Sequence, residues 1–392
     1  MVMVMVMVMV MENIMTKVKI KKNDLKKPKN PILVTQPTLP NLDEFHASLK
    51  EIWASKWITN KGAFHQQFEL ELAKHLGVKY VSIFNNATIA LLTALQALEI
   101  KGEVITTPYS FVATANSLMW NNLTPVFCDV DPIYGNLDAA KIENLITPNT
   151  TAIMPVHVYG TPCDVIAIEQ VAKKHKLKVI YDAAHAFGVE VNNNSILNYG
   201  DLSVLSFHAT KAFNTVEGGA IICHDDATKE KIDNLKNFGI TDEITVVAPG
   251  INGKVNELIA AYGLLQLKTI DSDIEKCKTI TTYYKEHLAN IEGLKCMPDI
   301  KNTKLNYSYF PIFIDEEKFG MSRDELYFKL KENNIFGRRY FYPLITDFNT
   351  YKNFDSSNLP IAKKIASQVI CLPIYAGLTT AEVNYITAII NS

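Results

Sequence analysis

From about residue 41 the chain alternates between short apolar runs and longer stretches whose apolar residues recur every three or four positions. Runs of the first kind predict strands and stretches of the second predict amphipathic helices. The spacing predicts helices over residues 43–56 and 64–76, the second closed by Gly77. Strands are predicted over 80–84, 103–107, 125–129, 151–155, 177–182, 203–207 and 220–223, with helices over 89–98 and 112–120 between the first of them. Strands alternating with helices imply an α/β fold with a mostly parallel sheet covered on both faces. Ligands of such sheets sit beyond the carboxyl ends of the strands. Asn85, Asp182 and Ser206 fall at such ends. The pattern breaks into loop over 238–253. Helices over 257–267 and 273–292 follow, then strands over 308–314 and 369–372. The expectation is a large domain over 31–249 and a smaller α+β domain over 250–392.

The first thirty residues stand apart. Residues 1–10 alternate Met and Val without a basic segment or a small-residue cleavage site, so they do not read as a signal peptide. They are too short to cross a bilayer as a helix. They read as an extension ahead of a start at Met11 or Met15, or as an addition to the chain. Residues 17–29 carry seven lysines against Asp24. A solvated disordered arm is expected over 1–30, with an arm for polyanions as the alternative. Elsewhere, 48% hydrophobic residues suffice for a core, and a net charge of −2 points to neither nucleic acid nor a membrane. Six scattered cysteines without a CxxC pair argue against a metal site or disulfide framework and suit the cytoplasm.

Candidate chemistry centres on Lys211, in the run Ser206-Phe207-His208-Ala209-Thr210-Lys211. A lysine of this kind, downstream of a strand ending in Asp182, can hold the aldehyde of pyridoxal 5'-phosphate. A buried Asp182 carboxylate would keep the ring nitrogen of that cofactor charged; capping the next helix is the alternative. Asn86-Ala87-Thr88 opens a helix whose free N–H groups, with the Thr88 hydroxyl, suit a phosphate, or simply cap the helix. Ser206 offers a second hydroxyl. Phe111 can stack on a flat ring and His185 can lie against it, though each also fits a core role.

Taken in order, these residues resemble the nucleotide-sugar aminotransferases of the DegT kind. The resemblance runs over about 32–392. It is carried by SFHATK, Asp182-Ala183-Ala184-His185-Ala186, the Asn-Asn-Ala-Thr turn at 85–88, the run at 108–116 and Gly250-Ile251-Asn252-Gly253-Lys254-Val255-Asn256-Glu257. It implies the aspartate-aminotransferase-like fold of pyridoxal phosphate enzymes (fold type I), usually as a homodimer. Lys211 would be the Schiff-base lysine, Asp182 the ring-nitrogen partner and His185 a ring-side contact, at a position where many relatives carry Gln. Ala87, Thr88 and Ser206 would hold the phosphate and Phe111 the ring. Asn252 would reach the phosphate of a second copy, so that each site is shared across the dimer.

The wording SFHAT-K-x-FNT-x-EGG implies transfer of an amino group from L-glutamate to C4 of a nucleotide-linked keto sugar, dTDP-4-keto-6-deoxyglucose first among them. Relatives acting at C3 more often carry Tyr-Pro in place of His208-Ala209. His208, Lys254, Arg338, Arg339 and Tyr340 are candidates for the sugar and diphosphate; an Arg can fork onto phosphate oxygens. The alternatives are a C3-specific or UDP- or GDP-linked version, a sugar dehydratase of the same fold, and a non-catalytic regulator. The dehydratases replace the lysine with histidine, whereas Lys211 is present.

Overall fold

A computed structural model describes residues 27–392. The predicted N-terminal arm, apart from residues 27–30, lies outside the described residues. The main elements in chain order are β1 (Ile32–Leu33), α1 (Leu42–Ser55), α2 (Ala63–Leu76), β2 (Tyr80–Phe84), α3 (Ala87–Ala97), β3 (Glu103–Thr106), α4 (Ala113–Trp120), β4 (Thr124–Phe127), β5 (Thr150–Met154), α5 (Val165–His175) and β6 (Lys178–Asp182). There follow β7 (Leu202–Ser206), β8 (Gly219–Cys223), α6 (Asp226–Leu235), α7 (Glu257–Leu267), α8 (Ile270–Leu288), β9 (Leu294–Cys296), β10 (Phe310–Ile314), α9 (Arg323–Glu332), β11 (Ile335–Phe336), β12 (Val369–Leu372) and α10 (Thr380–Ile390).

The large sheet has the order β2-β8-β7-β6-β5-β3-β4. Only β8 runs against the others, antiparallel to both β2 and β7. Successive side chains of a strand point to opposite faces. Val179 and Tyr181 of β6 accordingly join one core with Phe68 and Leu72 of α2. Ile180 between them joins the other core with Leu91 and Leu95 of α3. Both faces of this part of the sheet are buried: all of β7 and β8, and β6 from Val179 onward, are shielded from solvent.

A three-stranded antiparallel sheet, β9-β10-β12, builds the small domain with α8, α9 and α10. Two sets of contacts bear on where the domains divide. First, α7 packs on α2, and its Ala260 shares the large core with Ile270 and Ile274 from the start of α8. Cys277, Tyr284 and Leu288, further along α8, belong to the small core. The two cores meet inside α8, and the loop over 238–253 lies between elements that share the large core. Second, β1 pairs in parallel with β11, and Asn334 Nδ2 donates to the Pro28 carbonyl at 2.9 Å. Pro28 and β1 are thus held by residues 334–336 of the small domain. No helix among the described residues is long and apolar enough to cross a membrane.

Two polar devices anchor α2, one to α7 and one to the sheet and α6. Gly62 offers no side-chain cap, so Glu257 of α7 accepts from Phe64 N (3.0 Å) and His65 N (2.7 Å) instead. Deeper in, Glu69 accepts from Lys229 Nζ and Lys236 Nζ at 3.0 Å each, and from Ile83 N at 2.9 Å. Asp233 pairs with Lys236 at 2.8 Å and accepts from Ser82 Oγ at 2.6 Å. Burial pushes the Glu69 carboxyl up, but Lys236 and Lys229 overcome this and hold it below its ordinary value. Removing one member strands a buried charge. Glu69→Ala is expected to cost about 3–5 kcal/mol, read as a lowered urea midpoint with an unchanged slope.

Candidate active site

Every parallel strand delivers its carboxyl end to one side of the large sheet, and there the structure opens a cavity of about 260 Å³. Asp182 ends β6 and Ser206 ends β7. The loop between β7 and β8 brings His208 and Lys211, the start of α3 brings Ala87 and Thr88, and the turn after β3 brings Phe111. His185 follows Asp182 by three residues and lines the same space. Nine of the sequence-derived candidates thus converge, counting Tyr340, which reaches in from the small domain together with Tyr309 and Phe341.

Asp182 is 5% exposed. Thr114 Oγ1 donates to its Oδ2 at 2.7 Å, and Ala184 N donates to Oδ1 at 3.1 Å. Burial raises its pKa, and these two hydrogen bonds and the Lys211 charge offset the rise only in part. Lys211 Nζ donates to the Tyr309 hydroxyl at 3.2 Å. Burial of the ammonium end lowers its pKa to about 8, against the pull of Asp182. A good part of its population is then a neutral amine at neutral to mildly alkaline pH. His185 is kept neutral well below its ordinary pKa, first by burial and then by Lys211 and His157. Its Nδ1 accepts from Tyr159 N at 3.2 Å, which assigns the ring proton to Nε2. The His185 ring lies parallel to Phe341, with centroids 5.8 Å apart.

The phosphate-sized end lies at the start of α3. Asn86 caps the helix by accepting from Ile89 N at 2.9 Å. That leaves the N–H groups of Ala87 and Thr88, which have no partner within a helix of this geometry. A Cβ added at Gly219 would meet Ala87 N at 2.8 Å, so a glycine there lets β8 approach the helix end. Ser206 Oγ accepts from His208 N at 3.4 Å. Pyridoxal 5'-phosphate fits this arrangement on three counts: a buried carboxylate short of a cationic partner, an amine of lowered pKa, and a helix start suited to an anion.

Four candidates are not brought to the cavity. Arg339 pairs with Asp324 at 2.7 Å and stacks over Tyr327 at 4.5 Å, so its guanidinium is already committed. Arg338 is exposed, and its backbone is tied to Cys371. Lys254 lies 4.1 Å over the Phe238 ring. Asn252 is exposed, with its carbonyl accepting from Asn85 Nδ2 at 3.3 Å. Sequence reasoning missed Thr114, Tyr309, Phe341 and the pair Tyr109–Tyr159. The hydroxyls of that pair bond each other and both reach the Tyr340 carbonyl, which fixes the wall opposite His185. Thr114 stood within the run at 108–116 that carried the resemblance. Phe341 stood in the run at 339–343, which also carried the resemblance, whereas Tyr309 had no local signal, because it arrives from another domain.

The DegT/DnrJ/EryC1/StrS aminotransferase family matches residues 41–391. A dTDP-4-amino-4,6-dideoxy-D-glucose transaminase of Shigella dysenteriae is 53% identical over 361 residues, covering 92% of this chain and 98% of the relative. A GDP-perosamine synthase of Caulobacter vibrioides is 34% identical over 342 residues, with 86% and 92% covered. Among solved structures, the crystal structure of DesI in the presence of its TDP-sugar product superimposes with a TM-score of 0.89 at 33% identity, over 93% of each chain.

Only a neutral amine attacks an aldehyde, so the rate at which the ligand-free protein takes up pyridoxal phosphate is expected to rise with pH and level off above about 8. Asp182 raises the Lys211 pKa, so Asp182→Asn should move that midpoint to lower pH. Stopped-flow absorbance across a pH series checks both; a midpoint near that of a free lysine would refute the lowered pKa.

Proposed function

The chain belongs to the DegT/DnrJ/EryC1/StrS aminotransferase family, and on that premise we propose that it moves the amino group of L-glutamate to C4 of dTDP-4-keto-6-deoxyglucose, giving dTDP-4-amino-4,6-dideoxyglucose. It is an aminotransferase of fold type I, and its cofactor is pyridoxal 5'-phosphate. The observation that carries the chemistry is the buried Lys211 amine sharing one cavity with the buried Asp182 carboxylate. The C4 thymidine sugar is supported by the 53% identity to the Shigella enzyme over nearly its whole length, against 34% for a synthase of a GDP-linked sugar.

When bound, the cofactor supplies an aldehyde that takes an amine and a ring that accepts charge from the carbon being deprotonated. The Ala87 and Thr88 N–H groups and the Thr88 and Ser206 hydroxyls bind its phosphate. Asp182 holds a proton on its ring nitrogen, steadied by Thr114. His185, fixed as the Nε2–H tautomer by Tyr159 N, would offer a donor to the cofactor, and Phe111 would pack against it. Lys211 would hold the aldehyde in the resting enzyme. Once free, its neutral Nζ takes the proton from the α-carbon of glutamate, and in the second half of the cycle it returns one to C4 of the sugar. Tyr309 keeps that amine oriented between the two tasks. The Tyr340–Phe341 wall keeps water from the reacting carbons.

The same reading makes the protein a cytoplasmic homodimer with shared sites. Its six cysteines are unbonded and five are buried, as a reducing compartment leaves them. The loop after α6 exposes Phe238, Ile244, Val246 and Val247, with Ile244 at 92%. An apolar face of this kind suits a second copy. Asn252 and Lys254, on the same loop and outside their own cavity, are then assigned to the site of that copy.

With glutamate, pyridoxal phosphate and a panel of dTDP-, UDP- and GDP-linked keto sugars, amination is expected at C4 of the dTDP sugar, with the product identified by NMR. No product from any 4-keto sugar rejects the assignment. Lys211→Ala should lose both turnover and the visible absorbance of the loaded protein. Light scattering should give the mass of two chains, and a fully active monomer would sink the shared site.

A further inference from the structure

The loop from Phe207 to Gly218 carries Lys211, and its backbone is unusually constrained. Phe207 N donates to the Gly218 carbonyl (2.9 Å), Ala209 N to Val216 (2.8 Å) and Thr215 N to Phe207 (2.8 Å). Thr215 Oγ1 donates to the Glu217 carbonyl at 2.8 Å. Inside this net Val216 adopts φ 68°. A β-branched residue in the left-handed region is strained, and such strain persists only where surrounding bonds over-determine it. Val216 gains no burial in return, since it is 50% exposed. What the turn accomplishes is the placement of its neighbour, Glu217, on the wall of the cavity that holds Lys211.

Glu217 brings a second carboxylate to that wall, and its setting differs from that of Asp182. Asp182 is satisfied by Thr114 and Ala184. Among the described residues the Glu217 carboxylate meets only His208, whose Nε2 lies 3.7 Å from Oε1. His208 Nδ1 accepts from Thr210 N at 3.2 Å, which assigns the ring hydrogen to Nε2, on the side of Glu217. The pair thus presents one acceptor and one donor at the rim.

Both reagents of the reaction are anions: glutamate through its carboxylates, the sugar nucleotide through its diphosphate. A free carboxylate on the wall repels both. The part of either reagent that a carboxylate suits is a neutral hydroxyl, with which it makes a charge-assisted hydrogen bond. Glutamate offers none; the sugar nucleotide offers those of its hexose ring, beside the reacting carbon, and the 3'-hydroxyl of its thymidine, which dTDP alone shares. We propose that Glu217, set by the Val216 turn and oriented by His208, accepts a hydrogen bond from a ring hydroxyl of the keto sugar and so favours the sugar over the amino donor in a cavity that both must use. This rests on the assignment of a nucleotide-linked keto sugar as the acceptor.

The test uses the holoenzyme and the variants Glu217→Ala and Glu217→Gln. Calorimetry reads the affinity for dTDP alone and for the dTDP-amino sugar product. Absorbance reads the glutamate half-reaction without any sugar present. Expected for Glu217→Ala is unchanged binding of dTDP and about tenfold weaker binding of the sugar nucleotide. The kcat/KM for the keto sugar should fall by a similar factor while the glutamate half-reaction is not slowed, and Glu217→Gln should lie between alanine and wild type. Equal losses in both half-reactions would show that Glu217 only shapes the loop and would overturn the proposal. So would a wild-type preference for the sugar nucleotide over dTDP that survives both substitutions. A wild-type protein that gains nothing from the sugar over dTDP overturns the substrate assignment, and the role of Glu217 with it.

Discussion

Burying an ammonium and a carboxylate in one water-poor cavity costs several kcal/mol per ion unless each finds partners. Lys211 and Asp182 meet that cost only in part. Thr114 and Ala184 bond the carboxylate, and Tyr309 bonds the amine, yet the carboxyl still sits above its ordinary pKa and the amine below its own. The rest of the molecule supports this pair. Two apolar cores enclose the strands that carry it, and the small domain covers it with aromatic side chains. The residual imbalance is useful: a carboxylate short of a cation and an amine ready to lose its proton suit a ring with a charged nitrogen and an aldehyde.

Topology explains why these groups meet. Parallel strands send all their carboxyl ends to one side, so Asp182 and Ser206 arrive together although twenty-four positions separate them in the sequence. The one antiparallel strand, β8, matters equally. It returns directly beside β7 and makes the Lys211 loop a short, many-bonded connection rather than a long crossover. Gly219 at the start of β8 lies close enough to the first N–H of α3 that any side chain would collide with it. The phosphate end and the amine end of the cavity are thereby held by one strand.

How much of this was legible follows from the range of each signal. Asp182, Ser206, Ala87 and Thr88 were legible because each stands at the end of a periodic segment, where the sheet rule assigns a place. Tyr309 was not: its contact with Lys211 spans 98 residues and crosses into another domain. The expected boundary at residue 250 follows a break in periodicity, and a loop between elements of one core breaks the pattern just as a linker does. Arg339 had the residue type for a diphosphate, and only the fold shows Asp324 of α9 beside it. The two-residue strands β1 and β11 are too short to carry any period at all.

The cavity is graded from its floor to its mouth, and the grading matches the two demands of its chemistry. At the floor, Asp182 and His185 are each 5% exposed, and desolvation sets the protonation states. Proton movement at carbon is common to both halves of the cycle, so a dry, fixed floor serves glutamate and sugar alike. At the mouth, Phe111 is 60% exposed and His208 and Glu217 stand in solvent. Choice between reagents belongs there, because the amino acid and the hexose differ in what projects outward from the reacting carbon. A mouth residue can then change which sugar is accepted without disturbing the amine and carboxylate beneath it. The strain at Val216 lies on the mouth side of the loop, and Lys211, five residues earlier, is spared it.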